Sequence, residues 1–362
     1  MSDPLRIAIV GCGAIAHWHL DAIERAGVPV EVAAAIDPVE DNAQRVAERT
    51  GAPGYASLAD ALPDRRFDAA LIAVPHHLHE AVATAALGAG LHVLLEKPLA
   101  PTVDACDRIL AAADAAGAVF MVAENAQYWP EVLTVRDLLA DGAIGEVVTA
   151  RAATFFPALG EFYGGDRPWR FDRAAAGGGV VIDTGSHWLR PLRVWLGEAD
   201  ETIAALGRPH AGMEGESLCR ALIRFESGVV AAFDAMLATG AIANQPLFTV
   251  TGTRGECTVE GSGAVKLYDG SDWKGTKVGE PGGYLQSYEG EWRDFVSAVE
   301  RGTPPAATAR YALGELRLAL AMYRSAETKQ WEKVWSQAGD PPARSVGSRD
   351  TGDQGPEVGA AW

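Results

Sequence analysis

The chain has 362 residues, 48% of them hydrophobic, and its formal net charge at pH 7 is −17. A chain of this length can bury the cores of two domains. The negative charge argues against nucleic acid or an anionic membrane as a partner, because either would call for clustered Lys and Arg side chains. No segment has the length and apolarity of a membrane span or a secretory leader. We therefore expect a cytoplasmic protein that acts on a small molecule.

Neither the cysteines nor the clustered histidines predict a special site. The cysteines are widely spaced and contain no Cys-x-x-Cys pair, which fits a reduced protein with structural thiols. His76, His77 and His79 lead into a helical pattern without a partnering Cys or acidic cluster, so we expect no metal. The four cysteines are Cys12, Cys106, Cys219 and Cys257.

The first elements of the chain predict a nucleotide site. The apolar run Leu5 to Val10 is typical of a buried parallel strand, and the next residues read Gly-Cys-Gly-Ala-Ile-Ala. In such a turn the glycines let the backbone approach a pyrophosphate at a helix N-terminus, which makes Gly11, Gly13, Ala14 and Ile15 candidate contacts.

The second strand supports this interpretation with an acidic residue at its end. The run Val30 to Ile36 leads to Asp37, which lies 24 residues after Gly13 and where a carboxylate accepts the adenosine ribose hydroxyls. Asp37 would repel the 2′-phosphate of NADP, and Pro38 offers no cation, so NAD is preferred. A methyltransferase has the same two features, and up to this point both classes remain open.

The following segment separates these classes. Pro75 ends a predicted strand from Asp68 to Val74, His79 opens a helix, His92 begins another strand, and Glu96-Lys97-Pro98 follows it. Further on, the chain reads Gly-Gly-Gly-Val-Val-Ile-Asp-Thr-Gly-Ser-His over residues 177–187. Together with the Glu-Ser-Gly of residues 226–228 and the Gly-Thr-Arg-Gly of residues 252–255, this pattern resembles the Gfo/Idh/MocA family of NAD(P)-dependent oxidoreductases over about residues 5–330.

The resemblance and the element pattern imply two domains. Residues 1–124 alternate strands with Ala-rich helices, as in an α/β Rossmann domain with a doubly wound parallel sheet. Residues 125–335 are expected to form an α+β domain with a large, mostly antiparallel sheet. In the family the outer face of that sheet often joins subunits, so we expect a homodimer or homotetramer. Residues 336–362, rich in Gly, Pro, Ser and Asp, are expected to be a disordered tail.

Hydrophobic periodicity predicts the elements of both halves. The predicted helices are 79–87, 103–116, 131–141, 286–300 and 309–328. The predicted strands beyond the first domain are 147–156, 217–225, 229–236, 248–253 and 257–260, with a tight hairpin at residues 226–228.

The resemblance assigns a catalytic set at the seam between the domains. Lys97 would join Asp183, which binds the reacting alcohol, and His187, which takes the hydroxyl proton. If residues 182–196 are helical, the four-residue spacing of Asp183 and His187 places them on one face. The alternative is a helix-capping Asp and a core His. Many relatives carry an Asp where this chain has Arg190, so the chain departs from the family pattern at that wall of the pocket.

Further residues complete the expected site. The resemblance implies cofactor contacts at Val74, Pro75, His79, Glu96 and Lys97 in addition to Asp37 and the glycine turn. It also implies a cis Lys97–Pro98 bond, which is common in the family. The aromatic and basic segment 155–171 is suited either to a sugar or to a protein interface. Substrate contacts are predicted at Tyr128, Trp169, Arg170, Asp183 and His187.

The sequence therefore predicts an NAD-dependent oxidoreductase that acts on a secondary alcohol of a sugar, inositol or related polyol. Within the same family, an enzyme resembling a glycosidase that oxidises its substrate transiently with bound NAD is the alternative. From a different class, a catalytically idle nucleotide-binding regulatory or interaction protein remains open. The strongly negative net charge favours an uncharged substrate over a phosphorylated one.

Overall fold

A computed structural model describes residues 3–157, 160–163, 168–210, 212–238, 245–279 and 284–335. The expected tail at residues 336–362 lies outside this part of the chain. The described residues contain two β-sheets, one of six strands and one of nine. None of their helices has the length and apolarity needed to cross a membrane. All four cysteines are buried and have free thiols.

The first sheet is parallel throughout, with the strand order β3-β2-β1-β4-β5-β6. Its strands are β1 (Leu5–Val10), β2 (Val30–Ile36), β3 (Gly54–Tyr55), β4 (Ala69–Ile72), β5 (His92–Glu96) and β6 (Phe120–Ala123). The helices between them are α1 (Ala14–Ala26), α2 (Glu40–Thr50), α3 (Leu58–Ala61), α4 (His79–Gly88) and α5 (Val103–Ala116). The central strands are short apolar runs with both faces buried, which is why they read as continuous hydrophobic segments. The order of the strands changes direction beside β1, so their carboxyl ends form the edge where such sheets bind ligands.

The second sheet has the order β14-β13-β12-β11-β7-β10-β9-β8-β15. Among the described strands of this second sheet, only β7 and β10 pair in parallel. The sheet is therefore mostly antiparallel, as predicted. Its strands are β7 (Val147–Pro157), β8 (Ala199–Gly207), β9 (Leu218–Phe225), β10 (Val230–Ala238), β11 (Phe248–Gly252), β12 (Glu256–Val259), β13 (Ala264–Tyr268), β14 (Trp273–Lys277) and β15 (Glu332–Lys333). The accompanying helices are α6 (Pro130–Ala140), α7 (Gly160–Tyr163), α8 (Arg173–Ala176), α9 (Ser186–Leu196), α10 (Tyr284–Arg301) and α11 (Ala309–Thr328).

Helix α10 returns to the first half of the chain. Its buried residues Trp292 and Phe295 pack in the same apolar cluster as Ile7 and Ile9 of β1 and Leu20 of α1. A helix from the last fifth of the described chain therefore covers part of the first sheet.

Most predicted elements are present with small differences at their ends. The helices at 103–116 and 309–328 match α5 and α11 to the residue, and Thr102 caps α5 through a hydrogen bond from the backbone amide of Ala105. The hairpin between β9 and β10 is present, with Gly228 at φ +86°. The prediction omitted β8, β13, β14 and β15. Strand β8 begins Ala-Asp-Glu-Thr and lacks the apolar alternation that identified the other strands.

The helix considered for residues 182–196 is shorter than that range. It begins at Ser186, so Asp183 lies in the preceding turn rather than on a helical face shared with His187. The backbone packs closely against Glu216 just before this turn. The amide of Val180 donates to the carbonyl of Glu216, and a Cβ on Gly179 would lie 1.9 Å from that carbonyl oxygen.

Candidate active site

The glycine turn after β1 has the geometry that the nucleotide prediction requires. Gly11 has φ +91°, and a Cβ there would lie 2.4 Å from the carbonyl oxygen of Ala73. Only glycine therefore fits beside the end of β4. Gly13 caps α1, which begins with Ala14 and Ile15, and a Cβ on Gly13 would meet no described atom within 4 Å. The space beside Gly13 is thus free, within that radius, of described atoms other than those of its chain neighbours.

Asp37 closes this turn at the end of β2. Its carboxylate accepts hydrogen bonds from the amide of Cys12 at 2.9 Å and from the amide of Val39 at 2.8 Å. A carboxylate has about four acceptor positions, so capacity remains for a ribose hydroxyl. Asn42 also donates to it at 3.3 Å, and Arg45 donates to Asn42 at 2.5 Å. The prediction overlooked Arg45, a cation one helical turn along α2.

The side chain of Glu96, at the end of β5, is held by the buried residue His19. The indole of Trp292 donates to Nδ1 of His19, so the other ring nitrogen carries the proton of the neutral imidazole and donates to Glu96 at 2.9 Å. The second carboxylate oxygen of Glu96 accepts from the amide of Lys97 at 3.1 Å. Glu96 thereby orients the backbone that presents Lys97, whose bond to Pro98 is cis as expected.

The predicted contacts after β4 lie on the same edge. The strand ends at Ile72, two residues earlier than predicted, and Val74 and Pro75 precede a single 3₁₀ turn. His79 is fully buried, with its ring nitrogens 3.0 Å from the carbonyl oxygen of Val74 and 2.8 Å from that of Pro98. Burial lowers the pKa of His79, and because a neutral imidazole carries a single N–H, the ring donates to one of these two carbonyl oxygens.

Lys97 and Asp183 meet across the two halves of the chain. The ammonium of Lys97 donates to Oδ1 of Asp183 at 2.9 Å and to its backbone carbonyl at 3.0 Å. The other carboxylate oxygen accepts from the hydroxyl of Tyr163 at 2.7 Å and from Nε of Arg170 at 3.0 Å. Burial alone raises the pKa of Asp183, but Lys97 and Arg170 hold it well below its usual range. Asp183 is therefore an anion that positions donors and is poorly suited to take up a proton.

His187 pairs with a residue that the sequence analysis missed. Its Nδ1 lies 2.5 Å from Oε1 of Glu124, and both side chains are almost fully buried. Burial alone raises the pKa of Glu124, yet His187, Arg190 and Lys97 lower it to about 2. Glu124 directly follows β6, so an acidic residue at the carboxyl end of a predicted parallel strand was the available signal.

The predicted substrate residues divide into two groups. Trp169 and Arg170 lie at the site, where the guanidinium of Arg170 stacks over the Trp169 ring with its central carbon 4.4 Å from the centroid. Tyr128 instead packs against α10, and its hydroxyl donates to Asp294 at 2.6 Å. Arg167, in the same predicted segment, lies outside the described residues. Trp169 and Arg170 therefore lie at the site that contains Asp183, where a substrate contact was predicted. The side chain of Tyr128 is instead used in packing against α10.

His76 is a further residue at the site that the prediction set aside. Its Nδ1 donates to the carbonyl of Ala176 at 2.9 Å, and its ring lies edge-on to Trp169 with centroids 4.6 Å apart. Burial lowers the pKa of His76 well below its usual value, so the ring is neutral. Its Nε2, 3.9 Å from Oδ1 of Asp183, is then an unprotonated acceptor.

Arg190, the departure from the family pattern, is built into the protein interior. It is fully buried and forms a bidentate pair with Glu315 of α11 at 2.7 and 2.9 Å. A third bond goes to the side-chain oxygen of Gln127. Arg190 thus fixes α9 against α11. It is not free to bind a phosphate.

The site residues fit a dinucleotide on structural grounds alone. The helix N-terminus behind Gly13 is suited to a pyrophosphate, and Asp37 at the end of β2 is suited to a ribose. The rest of the carboxyl edge of the first sheet runs from Pro75 to Lys97, whose ammonium contacts Asp183. No group of three or more His, Cys, Asp or Glu side chains in the described part of the chain is arranged to hold a metal.

Comparison with known proteins agrees with this geometry. Residues 5–124 match the oxidoreductase family with an NAD-binding Rossmann fold, and residues 132–258 match the GFO/IDH/MocA C-terminal domain. The chain is 30% identical over 340 residues to 1,5-anhydro-D-fructose reductase of Ensifer adhaerens, which covers 91% of this chain and 98% of that protein. It is 34% identical over 165 residues to inositol 2-dehydrogenase of Corynebacterium glutamicum strain R, covering 45% of this chain and 49% of that enzyme.

Among solved structures, levoglucosan dehydrogenase in complex with NADH and levoglucosan aligns with a TM-score of 0.83 at 22% identity. The alignment covers 91% of this chain and 99% of that one, and it shows a shared fold. The chain belongs to the Gfo/Idh/MocA family of oxidoreductases. The predictions of this family, of its two-part fold and of an NAD-dependent oxidoreductase are confirmed.

Proposed function

We propose that the protein transfers a hydride between NAD and a ring secondary alcohol of an uncharged sugar, inositol or related cyclic polyol. The observation that carries this proposal is the convergence of Lys97, Asp183 and His187 from separate elements at the edge that follows the glycine turn. The inositol 2-dehydrogenase and 1,5-anhydro-D-fructose reductase relatives favour the same substrate class.

The residues divide the chemistry between them. When bound, the nicotinamide accepts or returns the hydride at carbon. His187 takes the hydroxyl proton during oxidation, because its Nδ1 faces Glu124 and its Nε2 makes no hydrogen bond among the described residues. Lys97 donates a hydrogen bond to the reacting oxygen, and Asp183 holds Lys97 and Arg170 in place. Asp37, the glycine turn, Pro75 and Glu96 form the cofactor side.

The charges near the site support an uncharged substrate. A phosphate needs free cationic donors, but Arg190 is paired with Glu315 and Arg170 with Asp183. The aromatic ring of Trp169 and the acceptor nitrogen of His76 offer an apolar and a polar contact. Such contacts suit the C–H and O–H surfaces of a sugar ring.

The test is a panel of sugars, cyclic polyols and sugar phosphates incubated with NAD, followed by nicotinamide absorbance. Net NADH formation with an uncharged ring substrate is the expected result. Turnover confined to sugar phosphates would contradict the substrate class. Product formation without net NADH would instead indicate the glycosidase-like alternative.

We further propose the domain division at residues 124 and 125, a cytoplasmic location and a homodimer or homotetramer joined through the second sheet. Large apolar side chains exposed on strands of that sheet support the interface, namely Val148 at 56% and Leu222 at 45% exposure. Light scattering that shows only monomer would contradict this assembly.

A further inference from the structure

The pairing of His187 with Glu124 has the geometry of an orienting dyad. A carboxylate can only accept, so the 2.5 Å contact requires that Nδ1 of His187 carries a proton and donates it. In the neutral ring the second nitrogen, Nε2, is then an unprotonated base. The arrangement fixes which ring nitrogen can act on a substrate.

Glu124 is itself held in position by the backbone. The same oxygen that faces His187, Oε1, also accepts the amide of Ala126 at 3.2 Å. The residue follows β6 directly, and its side chain is 1% exposed. Its direction is therefore set by the sheet edge and the turn that follows, independently of the substrate.

We propose that Glu124 is the positioning residue of this enzyme's general base: it selects the Nδ1-protonated form of His187 and stabilises the imidazolium that forms when His187 accepts the substrate proton. Glu124 acts through His187 and does not contact the reacting atoms. The inference rests on the proposed function only in naming the proton that His187 receives, since the tautomer can be examined without substrate.

The reaction balances with the groups already named. During oxidation the alcohol O–H proton moves to Nε2 of His187, the C–H hydride moves to the oxidised nicotinamide, and a C=O bond forms. The positive charge that appears on the ring is offset by the adjacent Glu124 carboxylate. In the reverse direction the same Nε2–H returns the proton to oxygen.

Other charged or titratable groups face the dyad from several elements, and they must stay unchanged in any test. Lys97 reaches it from the end of β5 and Arg190 from α9, and the remaining groups lie on α10. Those on α10 are Tyr284, Tyr288 and Glu291.

Two substitutions separate the hydrogen bond from the charge. In Glu124→Gln the amide of Ala126 can keep the side-chain oxygen directed at His187, so the bond survives while the negative charge is lost. In Glu124→Met both are lost at similar volume. The matched control is Glu131→Gln on α6, because Glu131 is also a buried carboxyl but its oxygens form no hydrogen bond among the described residues and it is not one of the groups named at the dyad.

The first readout is the ¹⁵N spectrum of the histidine rings in NAD-free protein, with His187 assigned from the His187→Ala variant. We expect the Nδ1–H form of His187 in the native protein and in Glu124→Gln, and its loss in Glu124→Met. A native His187 that carries its proton on Nε2 would overturn the proposal, whether or not a substrate is known. A failure of the sugar panel would count against the proposed function alone.

The second readout is steady-state kinetics. We expect kcat to fall about 10- to 100-fold in Glu124→Gln and about 100- to 10,000-fold in Glu124→Met, with NAD affinity and KM little changed. The acid limb of the kcat profile should move to lower pH in Glu124→Gln, because the imidazolium loses its counter-charge. The control Glu131→Gln should match the native enzyme in both respects.

A double-variant cycle closes the test. If Glu124 acts through the ring, Glu124→Gln should cost nothing further in a His187→Ala background. An equal loss in both backgrounds, or near-native turnover of Glu124→Gln with an unmoved acid limb, would show that Glu124 has no positioning role.

Discussion

The cofactor side and the substrate side of this site are built in different ways. On the cofactor side, the glycine turn and Asp37 follow consecutive strands of one sheet, and each sits directly after an apolar run. On the substrate side, Asp183 is held by Lys97, Tyr163 and Arg170, which come from three other segments. The first side is a local property of the sequence, whereas the second exists only once the two halves of the chain have packed together.

The largest expected effect is on the substrate side. Lys97→Ala and His187→Ala should each reduce kcat by about 100- to 10,000-fold, because both groups act on the reacting hydroxyl. NAD affinity, measured by fluorescence titration, should change little in His187→Ala, which lies away from the glycine turn. Near-native turnover of either variant on the true substrate would remove that residue from the mechanism.

Glycine substitutions test the close backbone approaches on the cofactor side and on the substrate side. The quantity measured is the free energy of unfolding. Gly11→Ala and Gly179→Ala should each destabilise the protein by about 2–5 kcal/mol, because the new Cβ would meet a backbone oxygen at 2.4 and 1.9 Å respectively. Urea unfolding measures the difference. If either variant unfolds at the native midpoint, the backbone approach at that glycine is not rigid.

The matched control for these variants is Gly13→Ala. Its Cβ would meet no described atom, and its φ of −77° suits alanine, so stability should be unchanged or slightly higher. NAD binding should nevertheless weaken about tenfold or more, because the methyl group enters the space proposed for the pyrophosphate. Unchanged NAD affinity would place the dinucleotide elsewhere.

Asp37 tests the preference for NAD. Asp37→Ala should reduce the difference in binding free energy between NAD and NADP by about 1.5–3 kcal/mol. The reason is that the hydrogen bonds lost by the NAD ribose go to a charged acceptor. Arg45→Ala is the companion variant, and it should weaken NADP binding while leaving NAD binding intact. Equal use of both cofactors by the native enzyme would contradict the preference.

The last expected effect depends on pH. Because the folded-state pKa of Glu291 is raised, the native state binds a proton that the unfolded state releases above about pH 4.3, so stability falls as pH rises through that range. Glu291→Gln removes this loss. The variant should match the native protein near pH 4 and become more stable toward pH 8, by up to about 1.4 kcal/mol for each pH unit that separates the two pKa values. Equal pH dependence of urea unfolding in the two proteins would contradict a neutral Glu291.

What could be predicted from the sequence follows the same division. Strand ends and glycine turns are readable because burial and backbone freedom act over a few residues, which is why Gly11, Asp37 and Lys97 were placed on one edge. Glu124 and His76 were missed because their significance depends on partners 63 and 107 residues away in sequence, and spacing alone does not disclose them. The start of α9 at Ser186 could not be read either, since the backbone just before that turn packs against Glu216, which is more than 30 residues away in sequence.

The packing of α10 on the first sheet has a consequence for how such enzymes can diversify. Trp292 and Phe295 complete the apolar cluster beneath β1, so a recombination event or an engineered chimera joined at residue 124 would inherit a nucleotide-binding half without its own cover. We therefore expect a protein with an exchanged substrate half to fold only when the incoming segment brings a compatible helix. In this architecture, the unit of exchange is the C-terminal half together with the apolar surface of the first sheet that α10 covers.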